Sequence, residues 1–355
     1  MNYKIKPIAS LKFLAVVYRG LMALRNRAYS SRVFYSYQSS LPVISVGNLT
    51  AGGSGKSPFC DYLAEHLVNR RPAILSRGYG GKTPKAVTVH PESSVFEVGD
   101  EALMHLQNLN QRCAVVVAKD RVEGVKLIEQ ENLAEVIILD DGFQHRRLRR
   151  NVDIVLADIS SAESVTAWEA GAVLPAGYFR ENKNSALSRT DILVFVNKGM
   201  DTREAVKIVE EQKQKLIRYI EPRRVFLAQM QAVCFRAVQS GEVLPLEYFS
   251  GQEVRALSAI AKPENFSQLL KNLGLIIQSE QYFPDHYIFK KCDWDKNLEI
   301  LQAMSLPLIV TSKDAVKLRS FLKNNTADVQ LYELVIKISF LAPDEENSFW
   351  QLMPV

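Results

Sequence analysis

Residues 42–57 read Pro-Val-Ile-Ser-Val-Gly-Asn-Leu-Thr-Ala-Gly-Gly-Ser-Gly-Lys-Ser. A short apolar run, Val43 to Val46, feeds a Gly-rich loop that ends in Gly55-Lys56-Ser57, and a helical pattern follows at once. This order constrains the fold strongly, because it asks for a strand, a tight loop and a helix N-terminus in succession. Glycines let backbone N–H groups turn toward phosphate oxygens, a lysine there reaches the β- and γ-phosphates, and a hydroxyl binds Mg²⁺. Thr50, Ala51, Gly52, Gly53, Ser54, Gly55, Lys56 and Ser57 are therefore the candidate nucleotide-binding loop. Thr50 stands where the strict pattern has glycine. The alternative is a Gly-rich turn that binds nothing.

Downstream, apolar runs at 73–75, 86–89, 114–117, 136–139, 154–157 and 192–196 alternate with helical patterns at 100–109, 121–131, 163–170 and 202–218. Such alternation predicts an α/β fold, a mostly parallel sheet flanked by helices as in P-loop NTPases. Beyond about residue 222 the pattern loosens. Residues 224–238 read as a strand pair, 254–261 and 308–311 as strands beside a helix starting near Glu264, and 332–340 as a late strand. At 355 residues the chain has room for two domains. The expected division is an N-terminal helix over 1–35, a P-loop domain over 36–222, and a smaller α/β domain over 223–355 that closes over the active site.

Charge is uneven. The first acidic residue is Asp61, and before it come Lys4, Lys6, Lys12, Arg19, Arg25, Arg27, Arg32 and Lys56. The first 60 residues thus carry +8 within a chain of net +5, which suits an anionic surface of lipid or nucleic acid. Ile8, Leu11, Leu14, Tyr18, Leu21 and Met22 recur at helical spacing, with Lys12 and Arg19 sharing one face. A basic amphipathic helix of this kind can lie in the headgroup plane of a membrane, or it can pack on its own domain. Its longest apolar run, Phe13 to Tyr18, is too short to span a bilayer. The four cysteines (Cys60, Cys113, Cys234, Cys292) read as reduced, buried thiols of a cytoplasmic protein, and no His/Cys spacing suggests zinc.

Other segments carry chemistry. Val136 to Asp141 is an apolar strand ending in two carboxylates, the layout that brings an Asp to a nucleotide-bound Mg²⁺. Gly142-Phe143-Gln144-His145 continues onto the face where such sheets bind ligands. Ser76 to Gly81, with Arg77, Tyr79 and three glycines, reads as a substrate-shaping loop or a flexible turn. Asp100 opens a helix, either as its cap or as a carboxylate that accepts a hydroxyl proton. In Asn197-Lys198-Gly199-Met200, Met200 replaces the Asp that would read guanine, so guanine specificity is not expected. Phe283-Pro284-Asp285-His286-Tyr287 places a second histidine in a loop-like setting.

Together these segments resemble the tetraacyldisaccharide 4′-kinase family, the lipid A kinases of Gram-negative bacteria. The likeness rests on 46–57, 76–81, 99–101, 139–145, Leu174-Pro175-Ala176-Gly177 with Arg180-Glu181, 283–286, and 310–316. It implies ATP- and Mg²⁺-dependent phosphorylation of the 4′-hydroxyl of a tetraacylated glucosamine disaccharide 1-phosphate. It implies a peripheral enzyme on the cytoplasmic face of the inner membrane, reached through the N-terminal helix, with no nucleic acid and no obligate protein partner. Asp100 becomes the expected base, tuned by His286, with Lys56 neutralising charge on the leaving group. Ser57 and Asp141, with Asp140 and Glu101 as alternatives, are the expected Mg²⁺ ligands. Arg77, Tyr79, Gln144, His145, Arg180 and Glu181 are expected around the disaccharide, and Lys12 and Arg19 near its 1-phosphate. A membrane-attached nucleotide switch acting on a protein partner and a nucleic-acid-dependent ATPase are the competing classes.

Overall fold

The structure is a computed structural model that describes residues 11–285, 287–304, 306–322 and 329–354. The chain begins with α1 (Lys12–Ser30), β1 (Val43–Asn48) and α2 (Lys56–His66). Next come β2 (Pro72–Ser76), β3 (Val87–Thr88), α3 (Val95–Val98), α4 (Asp100–Asn108) and β4 (Ala114–Val117). They are followed by α5 (Arg121–Gln130), β5 (Val136–Asp140), β6 (Val152–Asp158), α6 (Ala162–Ala170), α7 (Lys183–Leu187), β7 (Ile192–Asn197) and α8 (Thr202–Leu216). The remaining elements are β8 (Val225–Ala237), β9 (Val243–Leu244), β10 (Glu253–Ser258), α9 (Pro263–Asn272), β11 (Ile276–Tyr282) and α10 (Lys291–Met304). The chain closes with β12 (Leu308–Thr311), α11 (Ser312–Leu322), β13 (Leu331–Phe340) and α12 (Pro343–Trp350).

One sheet runs through all of this in the order β11-β10-β12-β13-β8-β7-β6-β1-β5-β2-β4-β3, with β9 beside β8. From β8 to β4 neighbouring strands are parallel, and β3 closes that edge antiparallel. From β13 to β11 they are parallel again. The two parallel stretches meet antiparallel at β8 and β13. All six residues of β1 are buried, as are all five of β2 and of β5. Burial on both faces is why these strands are continuous apolar runs rather than alternating ones.

Residues 224–238 are one strand, not the expected pair. Its burial changes midway: Val225 to Gln229 is buried against β7, and the rest alternates as a two-stranded ribbon with β13. No turn interrupts it. The expected boundary near 222 lies just before this shared strand. Phe340, Phe349 and Met353 share a buried core with Phe59 and Leu63 of α2. Two of the four cysteines also differ from expectation: all are free, but Cys234 is half-buried and Cys292 exposed. Cys292 lies in the first turn of α10, where the stretch that buries Trp294 leaves it facing outward.

Strand order fixes where a site can form. β1 lies between β5 and β6, and the chain leaves β1 by way of α2 to reach β2, two positions away. Ligands in such sheets bind beyond the carboxyl ends of the strands, where the winding reverses. Here that is the loop after β1.

Candidate active site

The loop after β1 is held from three sides. The Thr50 backbone bridges Phe179, and Ala51 N–H donates to the Tyr178 carbonyl at 2.9 Å. The Asn48 amide donates to the Thr50 carbonyl at 2.7 Å, and Lys198 Nζ donates to the Gly53 carbonyl. With those carbonyls tied back, the N–H groups of Gly52 to Gly55 make no hydrogen bond among the described residues. Gly55 has φ +84°, ψ +20°, the left-handed turn that glycine adopts without strain, and α2 starts at Lys56. Phosphate oxygens suit this arrangement of free N–H groups at a helix N-terminus.

Lys198 comes from the segment that lacks the guanine-reading Asp. It pairs with Asp158 at 2.8 Å, and Asn197 folds its amide onto Gly199, Met200 and the Met200 carbonyl. Through these two contacts the lysine braces the phosphate loop.

Two carboxylates end β5, and the structure gives them different partners. Asp141 is part-exposed, with φ +50°. Lys56 Nζ lies 3.5 Å from its Oδ1, and Arg180 donates to both of its oxygens at 3.1 Å. Asp140 is buried. His105 Nε2 lies 3.5 Å from its Oδ2, and the other ring nitrogen, Nδ1, faces Asp61 Oδ1 of α2. Burial opposes a charge on His105, but Asp61 and Asp140 outweigh it and raise its pKa to about 10. Burial likewise pushes the Asp140 carboxyl up, and His105, Lys56 and Arg121 together hold it below the usual carboxylate range. An aspartate–imidazolium–aspartate row therefore ties α2, α4 and β5 together.

The loop after β5 lies against the end of β1, because a Cβ on Gly47 would fall 2.5 Å from Phe143 Cβ. Gln144 donates to the Asn48 carbonyl at 2.9 Å. His145 is half-buried and its Nε2 has no partner among the described residues. Burial and the nearby Arg121 charge lower its pKa to about 4, so it is neutral at pH 7. Buried Arg121 donates to the Asp140 carbonyl at 3.1 Å. Arg77 and Tyr79 are exposed, and Arg77 is close enough to help depress the Arg121 pKa, which burial takes down to about 10.

Asp100 is buried and is the first residue of α4, with Gly99 in the cap position. Its Oδ1 accepts the Glu101 N–H at 2.9 Å, and Lys317 Nζ of α11 lies 4.0 Å from its Oδ2. Glu101 pairs with Lys313 at 2.5 Å. Burial alone would lower the Lys313 pKa, but Glu101, Asp100 and Asp285 hold it above the ordinary value. The far half of the sheet thus reaches α4 through α11. The β8–β13 ribbon reaches it too: Arg236 donates to Glu333 at 2.7 Å and to Asn108 at 3.1 Å. His286 lies outside the described residues, and Asp285 beside it acts on Lys313.

Three expectations meet a different geometry. Glu181 is 1% exposed and already engaged by Arg189 at 2.6 Å and Asn26 at 2.8 Å. It holds α1 rather than facing open space. Lys12 and Arg19 are exposed on α1 and touch none of these loops among the described residues. Glu101 is turned to Lys313, away from Asp140 and Asp141. Sequence reasoning missed Asn26, Asp61, His105, Arg121, Arg189, Lys198 and Lys313, since each acts through partners distant in the chain. Only Lys198 and Lys313 lay in motifs already singled out.

Only part of the α1 apolar stripe docks: Leu11, Tyr18 and Met22 are half-buried, with Tyr18 against the core around Trp168 and Phe179, and the rest faces outward. Phe13, Leu14, Leu21 and Leu24 are 77%, 52%, 63% and 69% exposed. The helix is also held by polar pins: Tyr18 donates to the Arg180 carbonyl at 2.9 Å, Arg25 to the Gln144 carbonyl at 2.7 Å, and Asn26 to Glu181. No helix among the described residues is long and apolar enough to cross a membrane.

No cluster of three or more His, Cys, Asp or Glu side chains among the described residues could cage a metal. Mg²⁺ needs no cage beside phosphates, since one or two carboxylates and a hydroxyl complete its shell. The Ser57 hydroxyl in the first turn of α2 and the carboxylates ending β5 fit that donor set. Buried Ser54 Oγ and His145 Nε2, both without partners among the described residues, leave polar atoms for a bound ligand to meet.

A phosphate-cradling loop with its lysine and hydroxyl, beside a strand ending in carboxylates, defines a P-loop phosphotransferase. Residues 8–353 match the family described as tetraacyldisaccharide-1-P 4′-kinase, and the chain belongs to it. A tetraacyldisaccharide 4′-kinase of Syntrophus aciditrophicus is 34% identical, covering 87% of this chain and 83% of its own. One of Chlorobium limicola is 33% identical, covering 97% of both chains. Among solved structures, the "apo" form LpxK from Aquifex aeolicus in complex with ATP superposes with a TM-score of 0.75. It is 28% identical over 97% of this chain and 98% of that one.

Proposed function

We infer that this chain is an ATP-dependent lipid kinase that uses Mg²⁺ and phosphorylates the 4′-hydroxyl of a tetraacylated glucosamine disaccharide 1-phosphate. The observation that carries this reading is the phosphate loop, with Lys56 beside Asp141, in a chain that matches the kinase family from end to end. Loop N–H groups and Lys56 hold the β- and γ-phosphates. The substrate hydroxyl oxygen attacks the γ-phosphorus, the bond to the β–γ bridging oxygen breaks, and ADP leaves. Asp100 takes the hydroxyl proton. Because the transition state is loose, it acts mainly by orienting the hydroxyl and accepting the proton late. Bound Mg²⁺ supplies charge neutralisation of the phosphates, with Ser57 and Asp141 or Asp140 as its protein ligands.

Asp141 pairs with Lys56 and Arg180 here, so binding nucleotide and metal exchanges those contacts for phosphate ones. Neutral His145 can accept from or donate to a sugar hydroxyl, and Arg77, Tyr79, Gln144 and Arg180 are the further candidates for substrate contact. Residues 253–322 bring Lys313 and Lys317 against α4, and movement of this half closes the site. The enzyme works as a peripheral protein at the cytoplasmic face of the membrane that holds its acylated substrate. The exposed apolar row of α1, pinned by polar bonds to the substrate loops, supports that placement.

The test is transfer of label from γ-labelled ATP to the tetraacyldisaccharide 1-phosphate in detergent micelles, with Mg²⁺ and with EDTA. Mg²⁺-dependent label in the lipid is expected, and Asp100→Ala should lower kcat by about 10²–10⁴ with little change in the KM for ATP. Label released only as free phosphate would overturn the kinase reading in favour of a nucleotide switch.

A further inference from the structure

Away from the phosphate loop, a cleft of about 640 Å³ opens where the C-terminal end of α1 meets the chain leading from β5 to β6. Tyr29, Arg32, Phe34, Arg146, Arg149 and Arg150 are among its walls. Arg150 is neutralised by a two-point pair with Asp153 at 3.0 and 2.7 Å. Arg32, Arg146 and Arg149 have no carboxylate partner among the described residues. Arg146 is fixed in place: it donates to the Asn26 carbonyl at 2.7 Å and to the Ser30 hydroxyl at 3.2 Å, 5.6 Å from the centre of the Tyr29 ring. Arg149 donates to Gln38 at 3.2 Å. Partial burial and the charges of Arg189 and Arg150 depress the Arg146 pKa, strain that a bound anion relieves.

Two further features mark the rim. Arg32 has φ +60°, the left-handed turn that ends α1, and its N–H donates to the Tyr29 carbonyl at 3.1 Å, which fixes the backbone from which Arg32 lines the cleft. Next to it Val33 is 73% exposed and Phe34 48% exposed, on the same segment as the bare apolar row of α1. Unpaired guanidinium groups beside exposed apolar side chains complement a lipid surface, with phosphates at one depth and acyl chains below. The interleaved apolar groups have no counterpart in a phosphate groove of nucleic acid.

We propose that this cleft binds the phosphate of an anionic membrane lipid, separately from the substrate, through Arg32, Arg146 and Arg149, while Val33 and Phe34 enter the headgroup layer. It is a second anchor that sets the rotation of the enzyme on the membrane, where α1 alone would leave the whole enzyme free to roll about the helix axis. The proposal rests on the membrane-surface reading above.

The experiment is co-sedimentation of the full chain with vesicles of phosphatidylcholine alone and of phosphatidylcholine with one quarter phosphatidylglycerol, at fixed salt. Arg32→Ala/Arg149→Ala removes two exposed charges outside the catalytic machinery, and an unchanged thermal melt shows that the variant folds. Its partition onto phosphatidylglycerol vesicles should fall at least about tenfold, with neutral vesicles and kcat in micelles unaffected. The proposal fails if partition onto phosphatidylglycerol is unchanged, or if it drops equally on neutral vesicles. It also fails if the only loss is in binding to a duplex DNA oligonucleotide. Wild-type protein that binds neither vesicle would sink the membrane reading itself.

Discussion

α1 and α2 are both amphipathic in sequence, and they end in opposite circumstances. α2 buries Phe59, Cys60, Tyr62, Leu63 and Ala64 between the sheet and α12. α1 leaves Phe13, Leu14, Val16, Val17, Leu21 and Leu24 in the open and half-buries Tyr18 and Met22, and its one fully buried residue is Asn26. A repeat of apolar residues every three or four positions specifies a helix with an oily side. It does not say what that side will meet. The polar residues differ in what they do: on α2, Asp61 and Glu65 bridge to α4 and β13 beside a buried apolar face, whereas on α1 Arg25 and Asn26 supply the anchors.

The contrast can be broken most directly on α2. Phe59→Ala opens a cavity against Phe349, whose ring centre is 5.9 Å away, and should cost about 3–5 kcal/mol in urea unfolding. A loss below about 1 kcal/mol would mean that α2 is no better packed than α1. The ionic contact of α2 gives the next effect. His105 is raised from 6.5 to about 10 by Asp61 and Asp140 against burial, so its stabilisation is complete below pH 6.5 and fades as pH rises toward 10. Wild-type stability should fall across that window by at most about 1.4 kcal/mol per pH unit, and His105→Gln should flatten the slope. Equal slopes in the two proteins would remove the imidazolium from the account.

On α1 the sensitive position is the polar one. Asn26→Ala strips Glu181 of a buried donor, a loss of about 1–3 kcal/mol that should loosen α1 alone. We expect a raised KM for the lipid, an unchanged KM for ATP, and faster hydrogen exchange confined to α1. A global fall in melting temperature would show instead that α1 is part of the core. The smallest effect is expected from Leu21→Ser/Leu24→Ser, within about 0.5 kcal/mol of wild type in stability but with weaker vesicle binding. Destabilisation approaching that of Phe59→Ala would erase the comparison.

What was legible follows from range. Val43 to Val46 and Val136 to Leu139 could be read as central strands because both faces are covered, and burial of that kind writes itself into consecutive residues. That Lys56 and Asp141 would lie together could be read, because both follow the ends of neighbouring parallel strands. β8 was misread because its first five residues obey the rule for a central strand and the others the rule for a ribbon. The partners of Glu181 could not be read, because Asn26, 155 positions earlier, and Arg189 meet its oxygens from other elements. Nothing local marks such a pairing, and the same holds for His105, which meets Asp61 and Asp140 from a third element.

The ribbon of β8 and β13 carries one more consequence. The chain enters the far half of the sheet along β8 and comes back along β13, its antiparallel neighbour, before α12 settles on α2. In connectivity the far half is a loop drawn out of the near half, with both ends sewn into it side by side. It cannot be removed by trimming the C-terminus, because the last helix belongs to the body that would remain. Nor can it swing as if on a string. Any displacement of one half against the other must wring two hydrogen-bonded strands together, in the manner of a torsion spring. The register shift between Val335 and Ile336 is the irregular point at which such a spring can yield.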